Sequence, residues 1–290
     1  MTSDAGALLG ACHFPPAGTA VDLAVSGGPD SVGLLLLGVD AGLAVTVHHV
    51  DHHLRETSGL DAGFVEALGA QFGVDVVVHD VRVAPGANLE ARARAQRRAV
   101  LPPGAMTGHT MDDLAETVLL NLLRGAGVDG LSPMVNDPTK PLRDVRRRDL
   151  HALVADRGIT ARHDETNDSP AFWRNRVRHE LLPLAGAIAE RDVVPIIARQ
   201  AELVYDERHW LDELAHDERG LDEVDCRELR DWPRARLRRW LRARLRDAED
   251  HPPSAAEVER AIRVVIGDAA AAELAGGRRL SRHHQFLRLG

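Results

Sequence analysis

The chain has 290 residues, a hydrophobic fraction of 44% and a formal net charge of −8, which leaves room for one large domain or two. Its two cysteines, Cys12 and Cys226, lie far apart and outside any C-x-x-C pattern, which argues against a disulfide framework or a cysteine zinc site. No stretch approaches eighteen apolar residues, and the first residues lack a charged start followed by an apolar run, so the expectation is a cytoplasmic protein without a membrane partner.

In chain order, residues 7–16 read as a short amphipathic lead-in. Strands are expected at 21–25, 43–50 and 74–79, with a short fourth at 105–108, and helices at 30–38, 57–72 and 88–99 between them. This alternation predicts a parallel, doubly wound α/β sheet of Rossmann-like type with right-handed crossovers. Another helix opens near Thr110. A glycine- and proline-rich loop follows over 125–140, then a basic stretch at 141–148, a helix at 149–157, a polar turn at 163–170 and an arginine-rich helix at 171–182. One long helix is expected from Pro195 to about His216. Helices at 226–231, 233–247 and 254–266, with a Pro252-Pro253 break, lead to short extended pieces ending at Leu289. The expected organisation is a larger α/β domain over 1–198, a connecting helix over 199–220, and a smaller, mainly helical domain over 221–290.

Only 3% of residues are aromatic, so the core is expected to be aliphatic. Charge is unevenly placed. Residues 202–231 hold twelve acids against four arginines, and residues 232–246 hold seven arginines and no acid. That asymmetry fits a polyanion-facing surface beside a repelling one, and fits a solvated arginine-rich helix equally well.

The densest chemistry lies where the first strand ends. Leu23-Ala24-Val25 runs into Ser26-Gly27-Gly28-Pro29-Asp30-Ser31 and then an apolar helix. Paired glycines allow a sharp turn and close backbone approach to a ligand. Backbone N–H groups ahead of a helix, with two hydroxyls, make a cradle for anionic oxygens. The pattern is neither G-x-x-x-x-G-K-[ST] nor G-x-G-x-x-G. Near the second strand end stand His48, His49, Asp51, His52 and His53. They carry metal-ligating chemistry but lack a partner segment at a metal spacing, and a loop lining a nucleotide base is the preferred reading. Asn88 is a plausible N-cap before Arg94, Arg97 and Arg98, which share one helix side. Thr107-Gly108-His109-Thr110 leads into a helix carrying Asp113 and Glu116 three residues apart. Those acids suit Mg²⁺ or a substrate ammonium, while Thr110 and Asp113 also form a capping-box pattern. Phe172-Trp173-Arg174-Asn175-Arg176-Val177-Arg178 mixes aromatics with cations, a texture suited to nucleic acid. The plain alternative is a helix whose arginines pair with nearby acids.

Taken together these segments resemble the tRNA(Ile)-lysidine synthase family of PP-loop ATP pyrophosphatases. The matching pieces are Ser26–Ser31, the His49–Arg55 region, Asn88–Arg97, Thr107–Thr117 with Arg124-Gly125, the turn from Asp164 to Asn167, and Arg174–Arg178. The resemblance is close over about 20–185 and looser over 200–290. Arg98, Ala161 and His53 depart from the family pattern, which bears on local packing and base contacts.

The resemblance implies three ligands: ATP, free L-lysine, and a tRNA(Ile) with the anticodon CAU. The C2 carbonyl oxygen of the wobble cytidine would attack the α-phosphorus, releasing pyrophosphate. The lysine ε-amine would then displace AMP to give lysidine. It assigns Ser26, Gly27, Gly28, Pro29, Asp30, Ser31, His48 and His109 to ATP, with Asp30 as the Mg²⁺ partner and Arg94 as a phosphate-stabilising cation. Asp113 and Glu116 would hold lysine. Arg174, Asn175, Arg176 and Arg178 would meet tRNA, with Arg238 and Arg242 as a second contact. A homodimer is an expectation that the residues do not decide. The rival readings are a PP-loop tRNA thiolase, an amidotransferase-type synthetase for which no glutaminase segment is present, and a catalytically silent nucleotide-binding module.

Overall fold

The computed structural model describes residues 5–51, 58–81, 89–162, 172–248 and 251–290, with the backbone alone at 58, 59, 89–91, 93 and 94. The chain divides into two compact units, Met1–Tyr205 and Asp206–Gly290.

In the first unit, α1 (Ala5–Gly10) precedes β1 (Ala20–Ala24), α2 (Pro29–Asp40), β2 (Ala44–Asp51), α3 (Ser58–Phe72), β3 (Asp75–Asp80), α4 (Leu89–Val100), β4 (Met106–Thr107) and α5 (Met111–Leu123). The four strands form one parallel sheet in the order β3-β2-β1-β4. The chain runs outward from β1 through β2 to β3, then returns to the other side of β1. The switch point therefore lies between the carboxyl ends of β1 and β4, where open α/β sheets bind ligands. Residues alternate along β1: Val21 and Leu23, with Val25 just past its end, are buried in one aliphatic core with Leu34, Leu35, Leu36 and Leu37 of α2. α6 (Arg147–Asp156) lies tight on α2, and a Cβ at Gly33 would come within 2.4 Å of Leu150.

The remainder of the unit differs from one expected helix over 171–182. α7 (Trp173–Arg176) passes into a π-helical turn, Val177–Leu181, and then α8 (Leu182–Ala189). Pro183 supplies no N–H and its ring would crowd a preceding carbonyl, so the wider turn lets the helix continue past it. The long α9 spans Val194–Ala215.

The second unit contains α10 (Cys226–Asp231), α11 (Arg234–Arg244), α12 (Ala255–Ile266) and an antiparallel sheet of β5 (Ala271–Glu273), β6 (Arg279–His283) and β7 (Phe286–Leu289). Leu237, Trp240, Leu241 and Leu245 form the buried stripe of α11 and join Val258, Ile262, Leu280 and Leu287 in a separate core. No described helix is long and apolar enough to cross a membrane.

A polar chain crosses the sheet. His48 of β2 bonds Asp22 of β1 through Nε2 at 2.8 Å and His79 of β3 through Nδ1 at 2.9 Å. Desolvation, with the His48 ring beside it, lowers the His79 pKa below its ordinary 6.5. The unfolded chain then binds this proton more readily than the folded one. Stability from His79 is present above pH 6.5 and is lost as the pH falls from there towards the folded-state value. His79→Gln should flatten that acid-side decline; urea unfolding at pH 7.5 and 5.5 measures it, and an unchanged difference between the two pH values would refute the assignment.

Candidate active site at the carboxyl edge of the sheet

The loop after β1 is built by its small residues. Gly27 adopts φ +91°, in the left-handed region that favours glycine. Its carbonyl accepts a 2.9 Å bond from the Arg162 amide. Gly28 stands at the N-cap of α2 with no side-chain cap bond, and Pro29 takes the first helical position, where its missing N–H costs nothing. Ser31 clasps the loop: its Oγ accepts from the Ser26 amide at 3.1 Å and donates to the Gly28 carbonyl at 2.9 Å. The Ser26 and Ser31 hydroxyls lie 3.2 Å apart.

β4 brings a second loop against this one. A Cβ at Gly108 would fall 2.5 Å from the Asp30 carbonyl oxygen and 2.8 Å from its carbon. Backbone cannot rotate away as a side chain does. Gly108→Ala is therefore expected to cost about 1–3 kcal/mol by overpacking and to displace the first turn of α2. An alanine variant with wild-type unfolding would contradict this close fit.

Past Gly108, His109 Nδ1 shares a 2.6 Å hydrogen bond with the Thr107 hydroxyl. Thr110 caps α5 in a full capping box with Asp113. Asp113 Oδ2 accepts from the Thr110 amide and hydroxyl, both at 2.8 Å. Its Oδ1 accepts from Arg147 at 2.8 Å and Arg174 at 2.9 Å. Glu116, one turn on, is fully buried. Its Oε1 accepts from Arg147 at 2.8 Å and Arg178 at 2.7 Å, and its Oε2 accepts from Arg174 at 2.9 Å and Arg178 at 3.1 Å. Burial opposes ionisation of Asp113, but Arg147 and then Arg174 outweigh it and hold the carboxyl well below the ordinary carboxylate range. The same pairing raises the Arg147 and Arg174 guanidinium groups against their own desolvation.

Arg147 ties this cluster to the first loop. Its Nε lies 3.5 Å from Asp30 Oδ2, while Asp30 Oδ1 bonds His151 Nε2 at 2.7 Å. Both partners stand on α6, which is fixed against α2. Sequence reasoning missed Arg147 and His151. Beside them, Asp112 accepts two 3.1 Å bonds from Arg146, which also pairs with Asp192.

The structure brings Ser26, Gly27, Gly28, Pro29, Asp30 and Ser31 into one loop and draws Asp113, Glu116, Arg174 and Arg178 into one cluster. Arg174 and Arg178 here face acids, and Arg176 pairs with Glu180 on the surface. Asn175 is buried. His48 does not stand free at a strand end: both ring nitrogens are engaged within the sheet, and the histidine turned to the loop side is His49, whose Nδ1–H donates to the Val25 carbonyl at 2.8 Å. The Arg94 side chain, Asn88, His52, His53, Arg55 and the turn from Asp164 to Asn167 lie outside the described residues.

In the second unit, Arg238 and Arg234 reach Glu259 at 2.7 and 2.5 Å. Arg239 pairs with Asp212, Arg236 stacks over Trp232 at 3.8 Å, and Arg242 is half-buried. Much of the positive charge of α11 is thus met within its own unit.

A single carboxylate beside a phosphate cradle suits a hard cation that is otherwise held by substrate oxygens. Asp30 fits Mg²⁺ in that way, since among the described residues no hydrogen-bond donor lies closer to its Oδ2 than the 3.5 Å Arg147 contact.

Comparison with known proteins agrees with this geometry. Residues 9–185 match the PP-loop domain family. A tRNA(Ile)-lysidine synthase from Thermobifida fusca is 38% identical over 245 residues, covering 76% of this chain and 74% of that protein. One from Nocardia farcinica is 37% identical over 71% of this chain and 67% of its own length. A Thermus thermophilus protein of the same name is 43% identical over 56% of this chain, and the match spans only 35% of that protein. Among solved structures, a U34-tRNA thiolase from Methanococcus maripaludis superposes with a TM-score of 0.52 at 17% identity, covering 66% of this chain and 73% of that one, a likeness of fold. The chain belongs to the PP-loop domain family and, within it, to the tRNA(Ile)-lysidine synthases, a family of tRNA-modifying ligases.

Proposed function

We propose that this protein joins L-lysine to C2 of the wobble cytidine in a tRNA(Ile) bearing the anticodon CAU, at the expense of ATP, through an adenylated cytidine, with release of pyrophosphate and AMP. The observation that carries the reading is the union of a phosphate-type loop with a buried acid pair at one sheet edge, bridged by Arg147. Charge develops on the phosphates in the first step, so fixed donors and cations there do most of the catalytic work. In this reading Ser26–Ser31 hold the triphosphate, Asp30 holds Mg²⁺, which would neutralise phosphate charge, and Arg94 adds a further cation. Asp113 and Glu116 receive the lysine ammonium. Arg176, with Arg238 and Arg242, meets tRNA phosphates, while Arg174 and Arg178, which the sequence also offered for that role, hold the acid pair. This reading places the protein in the cytoplasm, where tRNA is modified.

The thiolase alternative gains no support from the cysteines. The Cys12 thiol donates to the Leu8 carbonyl, and burial pushes its pKa up to about 12, so it is a poor thiolate. Cys226 is buried in the core of the second unit. The deciding experiment incubates the protein with ATP, L-lysine and a tRNA(Ile) transcript, then analyses the digested nucleosides by mass spectrometry. Lysidine that requires all three substrates supports the reading. Unmodified cytidine, or a thiolated base with a sulfur donor, refutes it.

A further inference from the structure

We propose that His151 is a positioning residue for ATP use: it holds Asp30 off Arg147, so that one carboxylate oxygen stays open to the Mg²⁺ that accompanies the nucleotide. The inference rests on the Mg²⁺ role given to Asp30 above, and adds a residue that lies outside every motif of the sequence.

Arg147 and His151 stand one turn apart on α6, so both side chains leave the same face of that helix. The close approach of Leu150 to Gly33 fixes α6 on α2, and Asp30 stands in the first turn of α2. The two residues address different oxygens of its carboxylate. His151 Nε2 lies 2.7 Å from Oδ1, and a carboxylate only accepts, so the ring nitrogen donates. Arg147 Nε stops 3.5 Å from Oδ2.

The second approach is an unfinished hydrogen bond. Among the described residues, Arg147 Nε is a buried donor with no hydrogen-bond acceptor. Leaving such a donor bare is unfavourable, and a charge-assisted bond to a carboxylate, at about 2.7–2.9 Å, would relieve it. Arg147 is held where it is. Its amide donates to Asp112 at 2.7 Å, and its terminal nitrogens donate to Glu116 and Asp113, each at 2.8 Å. Asp30, about a third exposed, is the partner with room to turn, and the His151 bond to its other oxygen restrains it. Two arrangements of Asp30 therefore compete. In the one seen here Oδ1 is tied to His151 and Oδ2 keeps its acceptor capacity for a hard cation. In the other the carboxylate turns onto Arg147 and Oδ2 is used up.

Two variants test this. His151→Leu removes the donor and suits a helix, while His151→Gln returns an N–H near the position of Nε2. Leucine lowers the fraction of protein with Oδ2 open, and apparent affinity falls by that same fraction. Calorimetric titration of the full chain with ATP should show binding about tenfold weaker for His151→Leu in the presence of Mg²⁺, and unchanged in EDTA. The thermal midpoint should hold or rise, because the Arg147 bond is completed. In pyrophosphate release, the Mg²⁺ concentration giving half the maximal rate should rise by the same factor, and kcat should recover at saturating Mg²⁺. His151→Gln should behave as the wild type in both measurements. Wild-type Mg²⁺ dependence in the leucine variant overturns the proposal, as does a glutamine variant as impaired as leucine. Equal weakening with and without Mg²⁺ also overturns it, since His151 would then touch the nucleotide itself. The titrations contain no lysine and no tRNA, so their outcome is independent of whether lysidine is formed. Wild-type binding of ATP that ignores Mg²⁺ would remove the cation role of Asp30, and this inference with it.

Discussion

Replacing Asp30 by alanine is expected to lower ATP-dependent pyrophosphate release by about two to three orders of magnitude, the range seen when one electrostatic element of a preorganised site is removed. Asp30 stands in the first turn of α2, directly behind the two glycines. His151 fixes one carboxylate oxygen at 2.7 Å, which leaves the other presented beside Arg147 at 3.5 Å. The stability cost should be small. The carboxylate is about a third exposed, a setting in which an ion pair contributes roughly 0–1 kcal/mol, and Arg147 keeps both of its other acids. A shift of about 2–4 °C in the thermal midpoint per kcal/mol is the scale to expect for a unit of this size. Asp30→Asn separates shape from charge: it should keep the His151 contact and still lose activity. Near-normal pyrophosphate release from either variant, with a native-like melting curve, would remove Asp30 from the chemistry.

The parts of this site that are legible in the sequence are those whose partners lie within one turn of chain. Ser26, Gly27, Gly28 and Ser31 close a loop on themselves, so strand, glycines and helix are visible as one pattern. Asp113 and Glu116 share a helix face by spacing alone, and the capping role of Asp113 follows from Thr110 three residues earlier. Arg147 is different. It is one of three consecutive arginines with unlike fates: Arg146 bonds Asp112, Arg147 bonds Asp113 and Glu116, and Arg148 is largely exposed. Only the placement of α6 against α2 selects among them, and that depends on a close approach of Leu150 to Gly33. The polar chain through His48 is hidden for the same reason, because Asp22, His48 and His79 come from three strands whose order no local pattern encodes. Arginines at 174 and 178 are visible as a one-turn pair, yet their spacing does not say whether they face RNA or acids. In this structure they face acids.

Glu116→Gln should have the largest effect on both stability and lysine use. Glu116 is fully buried and accepts four charge-assisted hydrogen bonds from three arginines. Glutamine keeps the shape but removes the charge and substitutes an NH₂ for one acceptor, so that end of the side chain meets guanidinium donors with another donor. Breaking a buried ion pair from one side typically costs about 3–5 kcal/mol, because the remaining charge is left buried and uncompensated. For the surviving folded protein, losing one charge-assisted bond to an ammonium removes about 1.5–3 kcal/mol. The KM for lysine should therefore rise roughly ten- to a hundredfold, with a much smaller change in the KM for ATP. A double-mutant cycle separates fold from binding. Arg178→Gln together with Glu116→Gln removes one positive and one negative charge, so the pair should recover part of the stability lost by Glu116→Gln alone, with a coupling of about 0.5–3 kcal/mol. Lysine use should not recover, because the carboxylate is still missing. If the double variant regains lysine turnover, Glu116 serves the fold alone. If Glu116→Gln raises the KM for ATP and for lysine equally, the acid pair belongs to the ATP-binding half of the site rather than to lysine.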